Sequence, residues 1–116
     1  MENNLYIKSY AFAVKIVKTY QKLASSNKEY VLSNQLLKCG TSIGANVAES
    51  NGSISKADFS AKLTISYKEC LETKFWLSIL KDTGYLDNET YTALCSDADE
   101  LAKILFTIIK KTRNRF

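Results

Sequence analysis

Histidine and proline are absent from this 116-residue sequence, and glycine and cysteine are scarce, at four and three residues. The lack of histidine excludes a Ser-His-Asp triad, most catalytic zinc sites and the Glu-x-x-His pairs of di-iron bundles. Without proline and with so little glycine, the chain lacks the punctuation of a turn-rich sandwich or barrel, which favours long helices. Cys39, Cys70 and Cys95 are odd in number and widely spaced, with no CxxC pair. Each falls in an apolar helical stretch and reads as a small buried hydrophobe in a reducing compartment. No apolar run approaches the ~18 residues of a membrane span. The opening MENNLYIKSY has neither the n-region nor the h-region of a signal peptide. The expectation is a soluble, cytoplasmic protein with no metal and no cofactor.

What remains is an ordinary globular composition, 46% hydrophobic and 24% charged. It suffices for one core and a single domain over residues 1–116. The net charge of +4 is unevenly spread. Residues 1–28 hold five lysines and one acid, residues 29–109 seven lysines and eleven acids, and residues 110–116 four bases and no acid. Basic ends around an acidic middle prompt the idea of a polyanion partner.

Periodicity predicts four helices. The first runs from about Asn4 to Ala24, with Tyr6, Tyr10, Ala13, Val17, Tyr20 and Ala24 on one face, and ends at Ser25-Ser26-Asn27. The second runs from Ser33, a potential N-cap, to Ser50, before Asn51-Gly52. The third starts near Ser55, where Ser55-x-x-Asp58 resembles a capping box, and stops at Gly84. The fourth starts at Asp87 and reaches about Arg113, with Tyr91, Leu94, Ala98, Leu101, Leu105 and Ile108 as its core stripe. Short connections make consecutive helices antiparallel neighbours, so the expected fold is all-α, an up-down-up-down four-helix bundle.

Two helices carry more apolar surface than one bundle needs. Helix 1 is apolar over more than half its circumference, and only the arc with Lys8, Lys15, Lys18 and Lys22 is clearly wet. On helix 3, Phe59, Leu63, Cys70, Leu77 and Leu80 form one face, while Ile65, Phe75, Trp76 and Ile79 lie nearly opposite. The second faces are expected to meet another copy of the chain, making the protein a homo-oligomer.

On helix 2, Gly40-x-x-x-Gly44-x-x-x-Ala48 is a ridge of small residues suited to close approach of a neighbouring backbone. On its other side Gln35, Ser42, Asn46 and Glu49 form a polar stripe, read either as a solvated face or as a network fixing register at an interface. Glu69 and Glu72 stand one turn apart beside Trp76. Paired carboxylates suit acid–base work, yet no base partner, phosphate loop or further ligand accompanies them, so the expectation is no enzyme. The candidate functional residues are the bases: Lys8, Lys15, Lys18 and Lys22 on helix 1, with Lys110, Lys111, Arg113 and Arg115 closing helix 4. An antiparallel helix 4 brings its tail towards the start of helix 1, forming one patch able to hold phosphates without reading sequence.

The stretches LSNQLLKCGTSIGANVAES (32–50) and SKADFSAKLTISYKECLETKFWLSILKDTGYL (55–86) carry a resemblance. Gln35-Leu36, Ser42-Ile43, Asn46-Val47-Ala48-Glu49, Lys68-Glu69, Glu72-Thr73, Trp76-Leu77 and Gly84-Tyr85-Leu86 resemble the bacterial four-helix-bundle family first met as proteins encoded in intervening sequences of 23S ribosomal RNA genes. Where that family often has Ala-Glu-Gly ending helix 2, this chain has Ala48-Glu49-Ser50. The resemblance covers about half the chain and implies a homopentamer. The chain is also similar to the accessory protein of diversity-generating retroelements, a basic pentamer that binds nucleic acid and a reverse transcriptase. The resemblance thus implies a nucleic-acid-binding adaptor with RNA or DNA, and a reverse transcriptase or ribonucleoprotein, as partners. The basic positions lie outside the matched stretches. The competing expectation is a protein-interaction scaffold whose basic surface meets an acidic protein.

Overall fold

The computed structural model describes residues 2–113, with side chains from residue 4 onward. Four helices and no strand occur among them: α1 (Glu2–Ser26), α2 (Val31–Ser50), α3 (Lys56–Asp82) and α4 (Asn88–Arg113). The all-α class expected from the sequence is what is observed.

The helix ends show which local signals were used. Ser55 caps α3 by accepting from the Asp58 N–H at 3.0 Å, while the Asp58 carboxylate accepts from the Ile54 N–H at 3.2 Å. Asp87 caps α4 by accepting from the Thr90 N–H at 2.6 Å. Gly84 ends α3 at φ 89°, the left-handed region that a side chain resists, and the Tyr85 N–H closes the turn onto the Leu80 carbonyl. At the end of α1 the same job falls to Lys28, at φ 57°.

Ser33 is not the cap of α2. The helix starts two residues earlier, and the Glu29 carboxylate accepts from the N–H groups of Val31, Leu32 and Ser33 at 3.0, 2.9 and 2.7 Å. Ser33 is buried and donates its hydroxyl to the Glu29 carbonyl at 2.7 Å. A longer acidic side chain reaching forward gathers three orphan donors where a serine gathers one.

Helices adjacent in sequence are adjacent in space. α2 packs on α1 and on α3, and α4 packs on α3 and, along a thinner seam, on α1. The body measures 47 × 21 × 21 Å. Its core joins Leu5, Phe12, Ile16 and Leu23 of α1, Leu36, Ile43 and Val47 of α2, Leu63, Cys70, Leu77 and Leu80 of α3, and Leu94, Ala98, Leu101, Leu105 and Ile109 of α4. Each fully buried aliphatic side chain contributes about 1.5–3 kcal/mol relative to an exposed one.

The Tyr6–Ala24 face of α1 lies beside the core rather than in it: Tyr6 and Tyr10 are exposed, and the buried face is the adjacent one. Because the apolar arc of α1 is so wide, periodicity alone offered two choices. On α4 the last buried position is Ile109, with Ile108 half-buried.

The small ridge of α2 meets α1 closely. A Cβ on Gly40 would lie 2.8 Å from Ile16 Cγ1, and one on Gly44 would lie 3.2 Å from the Ser9 carbonyl oxygen. Across the other side, Ser66 donates its hydroxyl to the Ile43 carbonyl at 2.8 Å, a buried bond between α3 and α2.

Candidate nucleic-acid interface

The eight candidate bases are treated differently by the fold. Lys8 pairs with Glu100 at 3.0 Å and Lys15 with Asp97 at 2.8 Å, both across the α1–α4 seam. Lys22 lines a small cleft with Asp87 and Thr90 at the far end of the same seam. The Thr90 N–H and hydroxyl, with a smaller share from the nearby Lys22, hold the Asp87 carboxyl below its ordinary range. The lysine arc at positions 8, 15 and 22 thus faces an acidic column on α4. Lys74 of α3 pairs with Asp99 from the other flank, which raises the Lys74 pKa.

Lys18 is exposed on α1, and Lys110, Lys111 and Arg113 are exposed in the last turn of α4; none has an acidic partner among the described residues. Arg115 lies outside the described residues. Lys8 pairs ten residues before Lys110 on α4, and ten residues of helix span about 15 Å. The tail cations therefore reach past Lys8 and do not merge with it into one patch.

The polar stripe of α2 faces the α2–α3 groove, but its members mostly serve their own helix. Ser42 donates to the Lys38 carbonyl at 2.7 Å, and Asn46 donates to the Ser42 carbonyl at 2.8 Å. Glu49 forms an ion pair across the groove, with Lys62 at 3.0 Å. Gln35 is half-buried on the same side. Opposite, Glu72 accepts from the Trp76 indole N–H at 3.1 Å. Glu69 is half-buried, and burial together with the neighbouring Glu72 charge pushes its carboxyl pKa up, against the pull of the Ser42 hydroxyl. Burial also pushes the Cys39 thiol up to about 11 and the Cys70 thiol up to about 12, so both stay protonated and unreactive near neutrality. Among the described residues no group of three histidine, cysteine or acidic side chains could hold a metal ion, and no helix is long and apolar enough to cross a membrane.

Of the four residues expected at an oligomer interface, Ile65 and Phe75 are exposed, at 46% and 56%. Trp76 is half-buried, packs against the core and lies edge-on to Phe75 at 5.2 Å; Ile79 is half-buried beside them. Leu71 of the same helix is exposed as well.

Residues 1–107 match the family described as the 23S rRNA-intervening sequence proteins. The chain belongs to that family. A solved structure from Bacteroides thetaiotaomicron VPI-5482, described as a protein of unknown function from the S23 ribosomal protein family, is 45% identical, with a TM-score of 0.92. The alignment covers 94% of this chain and 97% of that one. No curated protein matches the chain.

Within this 23S rRNA-intervening sequence protein, the departure at Ser50 is accommodated inside the helix. Ser50 is buried and returns its hydroxyl to the Val47 carbonyl at 2.6 Å, as the last residue of α2 before the cap at Asn51. Among the exposed lysines outside the candidate set, Lys56 and Lys103 lie nearest the α4 terminus. Lys103 recurs seven residues before Lys110, on the same strip of α4 with Phe106 between them, a spacing that was available from the sequence.

Proposed function

We propose that this 23S rRNA-intervening sequence protein is a non-catalytic, homo-oligomeric adaptor that holds RNA or DNA by its phosphate backbone. The observation that carries the reading is the group Lys110, Lys111 and Arg113 in the last turn of α4, exposed and without acidic partners among the described residues. Cations already paired within a fold gain little from phosphate, whereas unpaired ones release counterions on binding. Lys103 extends the surface along α4, Lys18 stands apart from it as a second contact for a longer strand, and Lys8 and Lys15 leave it, because their charges are engaged by Glu100 and Asp97.

The monomer in this reading is an up-down-up-down antiparallel bundle. The crossed pairings support it: Ile16 at Gly40 and Ser9 at Gly44, Ile43 with Ser66 and Glu49 with Lys62, Lys74 with Asp99 and Ser78 with Tyr91, Lys8 with Glu100 and Lys15 with Asp97. In each, the number rises on one helix as it falls on its neighbour. Five copies form a ring through the outer face of α3, around Ile65 and Phe75, so the cationic ends repeat around one assembly. A reverse transcriptase or a ribonucleoprotein is the protein partner. The compartment is the cytoplasm.

Binding of mixed-sequence RNA and duplex DNA across a salt series tests this. The expected result is a steep fall of affinity with salt. Lys110→Gln and Lys111→Gln should each make that slope shallower by about 0.9, the share of one neutralised phosphate. Lys8→Gln leaves the slope in place. Binding that ignores salt, or none at all, returns the protein to the second reading, a protein-interaction scaffold, which the engagement of Lys8, Lys15, Lys62 and Lys74 by acids within the fold favours.

A further inference from the structure

A cleft of about 720 Å³ opens at the end of the bundle, between the α2–α3 turn and the last turns of α4. That volume lies in the range of small-molecule sites, roughly 300–1,000 Å³. Its walls are of two kinds. Ile54, Phe59 and Ile108 form an apolar side, with Phe59 and Ile108 half-buried against the core and Ile54 left 93% exposed at the rim. Lys56 and Lys111 bring two cations from opposite edges, and neither has an acidic partner among the described residues.

The hydroxyls are not equivalent. Ser50 and Thr112 donate to carbonyls of their own helices, and Ser55 caps α3. The Ser53 hydroxyl is shielded from solvent and has no hydrogen-bond partner among the described residues. A hydroxyl deprived of both water and partner is destabilising, and an incoming acceptor would relieve it. The positive end of the α3 dipole also lies here. The three bases in the last turn of α4 offset the opposite dipole of that helix, and the Asp58 carboxylate is occupied with the Ile54 N–H.

A cationic rim, an unused donor and an apolar, partly aromatic wall suit an anion joined to a flat, weakly polar body. We infer that this cleft binds a nucleoside monophosphate, free or as the 5′ end of a strand. Lys56, Lys111 and Ser53 take the phosphate, and Phe59 and Ile54 cover the base. The phosphate is argued from the cleft itself; the choice of a nucleoside rests on the nucleic-acid reading above.

Calorimetric titration of the full chain with adenosine monophosphate, adenosine and inorganic phosphate tests the site. Alongside it, RNA of one sequence is compared with a 5′-phosphate and with a 5′-hydroxyl. The expected result is that adenosine monophosphate binds at least about tenfold tighter than either fragment, and that Lys111→Gln or Ser53→Val removes that advantage. Lys18→Glu weakens RNA and leaves the mononucleotide unchanged. A preference for 5′-phosphorylated RNA, lost in Lys111→Gln, identifies the strand end as the source. Equal binding of both RNAs together with no uptake of adenosine monophosphate overturns the inference while leaving backbone binding intact. Uptake of adenosine monophosphate without any RNA binding keeps the cleft and removes the strand reading. Inorganic phosphate binding as tightly as adenosine monophosphate overturns the nucleoside assignment.

Discussion

Single side chains set the ends of these helices and the state of the groove between them. Glu29 collects three backbone donors, and Glu29→Ala is expected to cost about 1–2 kcal/mol in urea unfolding, against a few tenths or less for removing an uncapped exposed acid such as Glu89. Burial raises the Glu29 pKa, but the Leu32 and Ser33 N–H groups and their neighbours outweigh it and hold the carboxyl below its ordinary value. Its contribution is therefore present at neutral pH and fades as pH falls through the carboxylate range. Glu69 runs the other way. Its raised pKa means that folding favours the protonated form, so stability drains away as pH rises past the ordinary carboxylate value. Glu69→Gln should raise the urea midpoint at pH 7 and converge with the parent protein near pH 4. The Asp58 and Asp87 caps were legible as residue types next to apolar runs; Glu29 was not, because it reaches its donors from outside the helix rather than from the position where a cap is looked for.

Whole helices were legible wherever one stripe was apolar and the rest wet. α4 shows this: its buried positions follow the heptad-like pattern, and the reading was off by one residue at the end. α1 and α3 were harder. α3 is the least amphipathic of the four, with Leu63, Cys70, Leu77 and Leu80 inside while Ile65, Leu71 and Phe75 stay exposed. On α1 the tyrosines were conspicuous and the leucine–phenylalanine face is the one that is buried, because size and aromaticity say nothing about direction. The Gly40–Gly44 ridge was readable as a demand for close approach, though not as a demand made by Ile16 and Ser9. Gly40→Ala tests that packing. Helix propensity alone would gain about 1 kcal/mol. Overpacking against the fully buried Ile16 costs about 1–3 kcal/mol. A net loss of about 1 kcal/mol is expected in denaturant unfolding, and Ile16→Ala should cost less in the Gly40→Ala background than in the parent chain, because the added methyl fills part of the space.

At the scale of the whole molecule, the exposed Ile65 and Phe75 bear on assembly. Sedimentation should report a particle several times the monomer mass, and Phe75→Asp with Ile65→Asp should return it to a single chain with helicity intact. Charge bias between the ends and the middle was visible in composition, yet composition could not say that the middle acids would claim Lys8, Lys15 and Lys74. That pairing depends on which helices become neighbours, and it moved the weight of the candidate surface from the arc of α1 to the terminus of α4. It has a mechanical side too. Among the described residues the broad α2–α3 and α3–α4 seams carry one ion pair each and the α1–α2 seam none, while the thin α1–α4 seam is bridged by two, Lys8–Glu100 and Lys15–Asp97. Concentrated electrolyte weakens exposed charge pairs and strengthens apolar burial. The rod should therefore have one weather-sensitive side: in strong salt, amide protons along α4 and the facing side of α1 would trade with solvent ahead of those in α2 and α3, as a hinged cover lifts while its spine holds.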